Sequence, residues 1–147
     1  MSAKPLTLEQ QNWLKANATL PAISLFVLLT ILCGMFACLF TGLRENLPFI
    51  IFLAVSGLLM LAVLAATSLH IYNNLMDLRS GTAQVLEARL AHKRHTSRSP
   101  KTFYAEFEGI GSVIIMGDVY ETLEEGKIYR VAYSPKTRRG WEIDALP

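Results

Sequence analysis

Few residues in this sequence of 147 amino acids have the types and spacing of catalytic groups. The histidines are His70, His92 and His95. The last two lie among lysines and arginines, without a serine or cysteine nucleophile motif beside them. The segment Gly109-Ile110-Gly111 lacks the third glycine and the following helix of a phosphate-binding loop. Glu106 and Glu108 alternate on a predicted strand and are expected to face solvent. No cysteine and histidine cluster has zinc-ligand spacing, so we predict neither an enzyme nor a cofactor or metal.

Basic residues form the clearest polar pattern. Every charged side chain between positions 102 and 126 is acidic, and a basic cluster flanks this segment on each side. The basic residues expected to contact a membrane surface or a partner are Lys93, Arg94, Arg98, Lys136, Arg138 and Arg139. They are either solvated loop charges or groups that face the anionic inner leaflet of a membrane. Nucleic acid is not a predicted partner, because the acidic segment would repel phosphate and no defined binding motif is present.

Two long apolar segments, residues 20–43 and 47–72, must position these groups. No charged residue occurs between positions 16 and 43 or between positions 46 and 76. Each segment exceeds the roughly 20 residues that span a hydrocarbon core of about 30 Å. The short connection between them requires antiparallel neighbours. We therefore predict a membrane hairpin of two transmembrane helices, with the lipid bilayer as its first partner.

Lysines and arginines near the ends of these segments predict the orientation. Lys4 and Lys15 precede the first segment, and six basic residues follow the second between positions 79 and 101. The connecting loop has only Arg44, beside Glu45. We predict a two-pass protein of the bacterial inner (cytoplasmic) membrane with both termini in the cytoplasm.

Residues 1–19 are predicted to form a cytoplasmic arm. The segment Thr7-Leu8-Glu9-Gln10 has the capping-box pattern that starts a helix. This pattern favours a short helix over positions 8–16 that lies at the level of the lipid headgroups, with Trp13 as its interfacial anchor. The alternative is a disordered tail.

Small residues recur at helical spacing in both apolar segments: Gly34 with Cys38, and Ala62 with Ala66. Such pairs allow helix backbones to approach closely. They either pack the hairpin together or contact another integral membrane protein, and a homo-oligomer is also open. Cys33 and Cys38 are rotated by about 140° from one another on a helix, so we predict no disulfide between them.

The second helix is expected to continue beyond the bilayer as a stalk and to end before Gly81. Residues 20–80 then form the hairpin with its stalk, and residues 81–147 form a cytoplasmic β domain. Strands are predicted at positions 82–91, 102–108, 113–116, 127–133 and 141–146. A helical turn or an irregular loop is expected at positions 119–125. Five short strands predict a small all-β domain, a five-stranded barrel of SH3-like or OB-like type.

The closing part of this domain carries the pattern G-x-x-Y-x-V-x-Y-x-P, formed by Gly126, Tyr129, Val131, Tyr133 and Pro135. It resembles the strand and turn that close the tail domain in a group of uncharacterised bacterial two-helix membrane proteins. The order of helices and β domain is also similar to that of NfeD-type membrane proteins, whose helices precede an OB-like domain. These resemblances imply an architecture and no catalytic residue.

The predicted function follows from the absence of an intramembrane charged site. Pumps and transporters normally carry ionisable residues within the membrane, and neither apolar segment has one at its centre. Together with the small-residue pairs and the uneven charge, this favours a non-catalytic accessory or scaffolding subunit of a larger membrane protein complex. Its cytoplasmic β domain would serve protein interaction. The alternative is an autonomous membrane-surface module that recognises lipid headgroups or a cytosolic ligand.

Overall fold

The structure, a computed structural model, describes residues 2–43, 47–97 and 99–146. Its elements in chain order are β1 Ser2–Pro5, α1 Leu8–Leu43, α2 Leu47–Ser80, β2 Thr82–His95, β3 Phe103–Phe107, β4 Gly111–Ile115, α3 Gly117–Thr122, β5 Ile128–Tyr133 and β6 Gly140–Ala145. The chain divides into two compact units. The helical unit is Leu14–Leu75, and the β unit combines Met1–Trp13 with Met76–Pro147.

Both long helices are long enough and apolar enough to cross a membrane. Their surfaces carry large apolar side chains that are mostly exposed; Phe26, for example, is 74% exposed and Leu58 is 69% exposed. A surface of this kind is unusual in a soluble protein, which rarely exposes a contiguous apolar patch of more than a few hundred Å².

The α1 helix begins at the predicted capping box. The Thr7 N–H donates to Gln10 Oε1 at 3.0 Å, and the Gln10 N–H donates to Thr7 Oγ1 at 3.3 Å. The sequence analysis expected a separate short helix here, but α1 continues through Pro21 to Leu43. Proline forfeits one backbone hydrogen bond, whereas a break in an apolar segment would leave several backbone groups unpaired.

Within the helical unit, one face of each helix has the least exposed side chains. In α1 these include Leu25, Leu29, Leu32 and Phe36, and in α2 Leu53, Met60 and Leu64. Their spacing of three, four or seven residues places each set on one side of its helix. A narrow gap is lined by Leu25, Leu29 and Leu32 of α1 and by Met60 and Leu64 of α2. These two sets lie about equally far along the chain from the connection between the helices, so the helices run antiparallel. We call this leucine-rich contact the seam.

The β unit contains a six-stranded antiparallel sheet with the order β4-β3-β2-β5-β6, and β1 pairs with β2. The five strands from β2 to β6 lie where the sequence predicted strands, and β2 is longer than expected. The sequence predicted five strands in a barrel of SH3-like or OB-like type; the structure has a sixth strand, and its sheet is open. The strands β4 and β6 do not pair as neighbours in the strand order; Ile114 of β4 forms an isolated parallel bridge with Arg139, the residue before β6.

The sixth strand, β1, was assigned to an arm by the sequence analysis. In the structure it pairs with the start of β2, with Ala3 opposite Gln84. The Leu6 N–H donates to the Gly81 carbonyl at 2.9 Å and extends this pairing. Gly81 adopts a φ of +63° and ends α2, as predicted. The positive φ suits glycine, which lacks the Cβ that strains other residues there.

The core of the β unit lies on the inner faces of these strands. In β5, Tyr129, Val131 and Tyr133 are buried and Ile128 is half exposed, as expected for alternating strand positions; Ala132 departs from this alternation, because it is buried too. Phe107 is 1% exposed, and its ring meets the Tyr129 ring edge to face at 6.3 Å. A Cβ on Gly140 would lie 3.0 Å from a Val113 methyl group, so the close approach of β6 to β4 requires glycine.

Candidate functional site

The loop between β5 and β6, residues 134–139, is held by a buried carboxylate. Asp77 lies in the last turn of α2 within the β unit and is 1% exposed. Its carboxylate accepts the backbone N–H of Lys136 at 3.1 Å and that of Thr137 at 2.7 Å. Hydrogen bonds to an ionised acceptor are the strong ones in proteins, so Asp77 fixes the conformation of the loop. We call residues 134–139 the β5–β6 loop.

Two tryptophans pack beside this loop. The rings of Trp13 and Trp141 meet edge to face, with centroids 5.5 Å apart. The Trp141 Nε1–H donates to Ser134 Oγ at 2.8 Å, and Ser134 is fully buried. The Arg139 guanidinium lies over the Trp13 ring, 4.8 Å from its centroid. The structure therefore brings together Trp13 and Arg139, two of the residues that the sequence analysis singled out.

Arg139 is a half-buried cation without a carboxylate. None of the ion pairs among the described residues includes it. Its Nε is buried and makes no hydrogen bond. Burial lowers the pKa of the guanidinium from its usual value, but arginine remains charged at any physiological pH. The only described contact that compensates this charge is the Trp13 ring, which is a weak acceptor.

The other two basic residues of the loop differ in how freely they can move. Arg138 adopts a φ of +55°, and its Nη1 donates to the Ile110 carbonyl at 2.8 Å. Its own carbonyl accepts the Ile114 N–H at 2.7 Å, next to the bridge between β4 and β6. Lys136 is bound through its backbone alone, and its side chain is exposed. Among the described residues, the Lys136 side chain has no hydrogen-bond or ion-pair partner.

Two further predicted basic residues, Lys93 and Arg94, lie on β2 and not on this loop. Lys93 Nζ donates to the carbonyls of Leu123 at 2.7 Å and Tyr120 at 3.1 Å, where α3 ends. Its backbone N–H donates to Glu125 at 2.7 Å. Lys93 therefore caps α3 from within the β unit. Its ammonium is committed to these contacts.

Arg94 has a different environment from its neighbour. It is exposed, and its guanidinium lies over the Tyr104 ring at 5.1 Å. Both residues line a shallow depression of about 250 Å³ together with His95 and Thr96. Arg98, the other basic residue predicted for this cluster, lies outside the described residues.

The different environments of Lys93 and Arg94 give the first testable prediction. Lys93→Ala should lower the free energy of unfolding by about 2 kcal/mol, because it removes charged hydrogen bonds to the end of α3. Arg94→Ala should change it by only about 0.5 kcal/mol, since an exposed cation–π contact is weak. Chemical unfolding of the full chain in detergent measures both. Equal effects of the two substitutions would contradict the assignment of Lys93 to a structural role.

The small-residue pairs lie on the side of each helix away from the seam. Gly34, Cys38, Ala62 and Ala66 are all exposed. Gly34 is two residues from both Leu32 and Phe36, which places it about 200° around α1 from the seam. The same spacing separates Ala62 from Met60 and Leu64 in α2. No atom outside the local backbone lies within 4 Å of a Cβ built on Gly34. The seam is therefore lined by large residues, and the small pairs lie outside it.

Asp77 and Trp141 were missed by the sequence analysis. Asp77 is the only acidic residue between positions 46 and 86, and this isolation could have indicated that it has a specific structural role. Its partners are backbone amides about 60 residues away, and no local pattern indicates them. Within the described residues, no group of three histidine, cysteine or acidic side chains could hold a metal ion. Comparisons with protein-family models, curated proteins and solved structures find no match for this chain.

Proposed function

We propose that this protein is a non-catalytic accessory or scaffolding subunit of a larger membrane protein complex. The observation that carries the proposal is the position of the small-residue pairs, which face away from the seam of the hairpin. In this proposal α1 and α2 span the inner membrane as a two-pass hairpin, and both termini are cytoplasmic. The β unit then faces the cytoplasm and serves protein interaction.

The physics of helix association in lipid supports this reading of the small residues. The hydrophobic effect does not drive helices together in a bilayer, so association depends on close backbone approach at small side chains. The hairpin here is packed through leucines, phenylalanine and methionine instead. Gly34 and Ala62 therefore remain available to a second membrane protein. A second copy of this chain would satisfy the same geometry and is the homo-oligomeric version of the proposal.

The finer description of the β unit also belongs to this proposal. We infer a partly closed barrel of SH3-like or OB-like type, supported by the bridge between Ile114 and Arg139 at the ends of the open sheet. The likeness to bacterial two-helix proteins with a small β domain, and the weaker one to NfeD-type proteins, agrees with this architecture. The asymmetric distribution of lysine and arginine around the two helices supports the cytoplasmic placement.

The second prediction tests the complex directly. Native membranes are extracted in mild detergent, and the protein is sized on native gels with mass spectrometry of co-migrating proteins. We expect a discrete large species of constant composition. The double substitution Gly34→Leu and Ala62→Leu should reduce the co-migrating fraction roughly tenfold, which corresponds to about 1.4 kcal/mol.

A matched control separates the loss of close helix packing at the small residues from the general effect of a larger side chain on the helix surface. Ala54→Leu adds the same side chain to α2 at an exposed position that is about 80° from Ala62 around the helix. It should leave the large species intact. Migration of the unaltered protein as a lone monomer would refute the subunit proposal. A large species that survives the double substitution would remove Gly34 and Ala62 from its interface.

The second candidate function is a membrane-surface module that recognises lipid headgroups or a cytosolic ligand. One observation favours it: Arg139 carries a charge that no described carboxylate neutralises. Lys93 no longer supports this candidate, because its ammonium is bound to carbonyls of the β unit. The two candidates are compatible, since a subunit of a membrane complex can also bind lipid.

A further inference from the structure

We propose that Arg139, Lys136 and the Trp13–Trp141 pair form a binding site for the phosphodiester group of an anionic lipid. The site lies wholly within the β unit. This proposal assigns a ligand to the β5–β6 loop, and it rests on the membrane insertion of α1 and α2 proposed above. It does not depend on whether the protein belongs to a larger complex.

The first step is the unmet charge of Arg139. A half-buried guanidinium normally has a carboxylate or phosphate partner, because removing a charge from water without one is costly. Arg139 has neither in the described part of the chain, and its Nε is buried without a hydrogen bond. The planar guanidinium presents several N–H groups in a fork that matches two phosphate oxygens. An anionic ligand would supply the negative charge and the hydrogen-bond acceptor that the described residues do not provide.

The second step is the rigidity of the site. Trp13 supports the guanidinium on one side, and Trp141 is fixed against Trp13 and by its hydrogen bond to Ser134. Asp77 fixes the backbone at Lys136 and Thr137. A site that is already ordered loses little conformational entropy when its ligand binds.

The acidic groups around the site do not compete for Arg139. The Asp77 carboxylate is buried and accepts two backbone N–H groups. Glu142, the acidic residue next to Trp141, forms an ion pair with Lys4 of β1. Arg138, next to Arg139, donates to the Ile110 carbonyl, so the exposed Lys136 side chain is assigned as the second cation for a bound phosphate. The net charge presented by the loop is therefore positive.

The third step is the depth of the site relative to the bilayer, measured along the two helices. Trp13 precedes Leu20 by seven residues of the continuous helix α1, which is about 10 Å. Asp77 follows Tyr72 by five residues of α2, which is about 8 Å. The headgroup layer on each side of the hydrocarbon core is about 5–8 Å thick. With α1 and α2 inserted, Asp77 lies at the outer edge of this layer and Trp13 lies just beyond it. Tryptophan is enriched at this level of the bilayer.

The source of the phosphate is assigned to a lipid on the basis of the tryptophans. A free phosphate in the cytoplasm needs only cationic and N–H groups, and it gains nothing from indole rings. A lipid places its phosphate beside glycerol and acyl carbons, which large aromatic side chains can contact. The arms of the experiment separate these two sources.

The test uses the intrinsic fluorescence of the full chain in lipid nanodiscs. The sequence has two tryptophans, Trp13 and Trp141, and both belong to the site. Nanodiscs contain either brominated phosphatidylglycerol in ordinary phosphatidylcholine, or brominated phosphatidylcholine in ordinary phosphatidylglycerol, at matched mole fractions. Bromine quenches tryptophan only at short range. We expect roughly fivefold greater quenching efficiency per brominated phosphatidylglycerol, the preference expected for one basic residue at an anionic surface.

Substitutions assign this preference to the site. Arg139→Gln should reduce the ratio to near one, whereas Arg130→Gln, which removes an equal charge from an exposed position on β5, should leave it unchanged. Arg139→Lys keeps the charge but not the guanidinium fork, and most of the preference should be lost. This conservative variant keeps the test valid if Arg139→Gln does not fold. Adding soluble glycerophosphate at millimolar concentration should have no effect.

Several outcomes would overturn the proposal. Equal loss in Arg130→Gln and Arg139→Gln would show diffuse electrostatic attraction, as would a full preference in Arg139→Lys. Competition by glycerophosphate would assign the site to a soluble anion. Absence of quenching by either brominated lipid would place the tryptophans away from the bilayer surface. That result would refute the lipid site and leave the subunit proposal to be decided by co-migration on native gels.

Discussion

Replacing Asp77 with alanine should lower the free energy of unfolding of the β unit by about 3 kcal/mol. The carboxylate is buried and accepts two backbone N–H groups of the β5–β6 loop. Its removal leaves both donors without an acceptor in a position that water reaches poorly. Because the tryptophans lie beside this loop, their fluorescence reports the change during urea unfolding of the full chain in detergent micelles.

Two comparisons make the Asp77 prediction specific. Asp77→Asn keeps one carbonyl oxygen as an acceptor and should lose about half as much stability. Glu121→Ala removes an exposed carboxylate from α3 and should change stability by no more than about 0.5 kcal/mol. If Asp77→Ala and Glu121→Ala unfold at the same urea concentration, Asp77 does not hold the loop in the way that the hydrogen bonds indicate.

Phe107→Ala should destabilise the β unit most, by about 4 kcal/mol. The ring is 1% exposed and belongs to the core cluster between β2, β3 and β5. Truncation removes its contacts and leaves a cavity among Leu90, Val131 and Tyr129 that these side chains cannot fully close. The free energy of unfolding and the near-ultraviolet circular dichroism of the full chain in detergent both measure the loss.

The matched control is Ile128→Ala on the neighbouring strand β5. Ile128 is 50% exposed and points away from the core, so its truncation should cost less than about 1 kcal/mol. A cost for Phe107→Ala that is no larger than this would mean that the core of the β unit is loosely packed. Both variants should retain the fluorescence quenching described for the lipid site, provided that they remain folded.

The parts of the fold that the sequence predicted are those set by local patterns. The capping box at Thr7 and Gln10 and the helix end at Gly81 depend on residues within one turn of each other. The sequences of β3 and of the first part of β5 alternate between buried and more exposed positions, which requires no knowledge of their partners. Predicting the two long apolar helices required only a count of consecutive residues without charge.

The parts that were not predicted depend on pairing across the chain. The residues Ser2–Pro5 have no apolar alternation, and they form a strand because the edge of β2 is available to them. The alternation of charged and aromatic residues likewise did not show that the end strands β4 and β6 would leave the sheet open, with an isolated bridge between Ile114 and Arg139. Register and closure are properties of the assembled sheet, and single strands do not carry them.

The same limit applies to the candidate site. Lys93 and Arg139 look alike in the sequence, as basic residues beside predicted strand ends. The structure gives Lys93 three partners, two of them carbonyls at the end of α3, and gives Arg139 only an aromatic ring. The difference arises from contacts with residues some 30 and 126 positions away, respectively. Composition identifies a set of cations, and only tertiary contacts show which of them remain free to bind a ligand.

The pairing of β1 with β2 has a consequence for the order of folding. Ala3 and Gln84 are separated by the whole hairpin, so closing this contact in an unstructured chain would carry a large loop entropy. Once α1 and α2 are formed and lie antiparallel, the same two segments are brought near each other and most of that entropy is already lost. We therefore expect β1 to pair with β2 after the helices have formed, so that a chain with an incorrectly formed hairpin would lack this strand of the sheet.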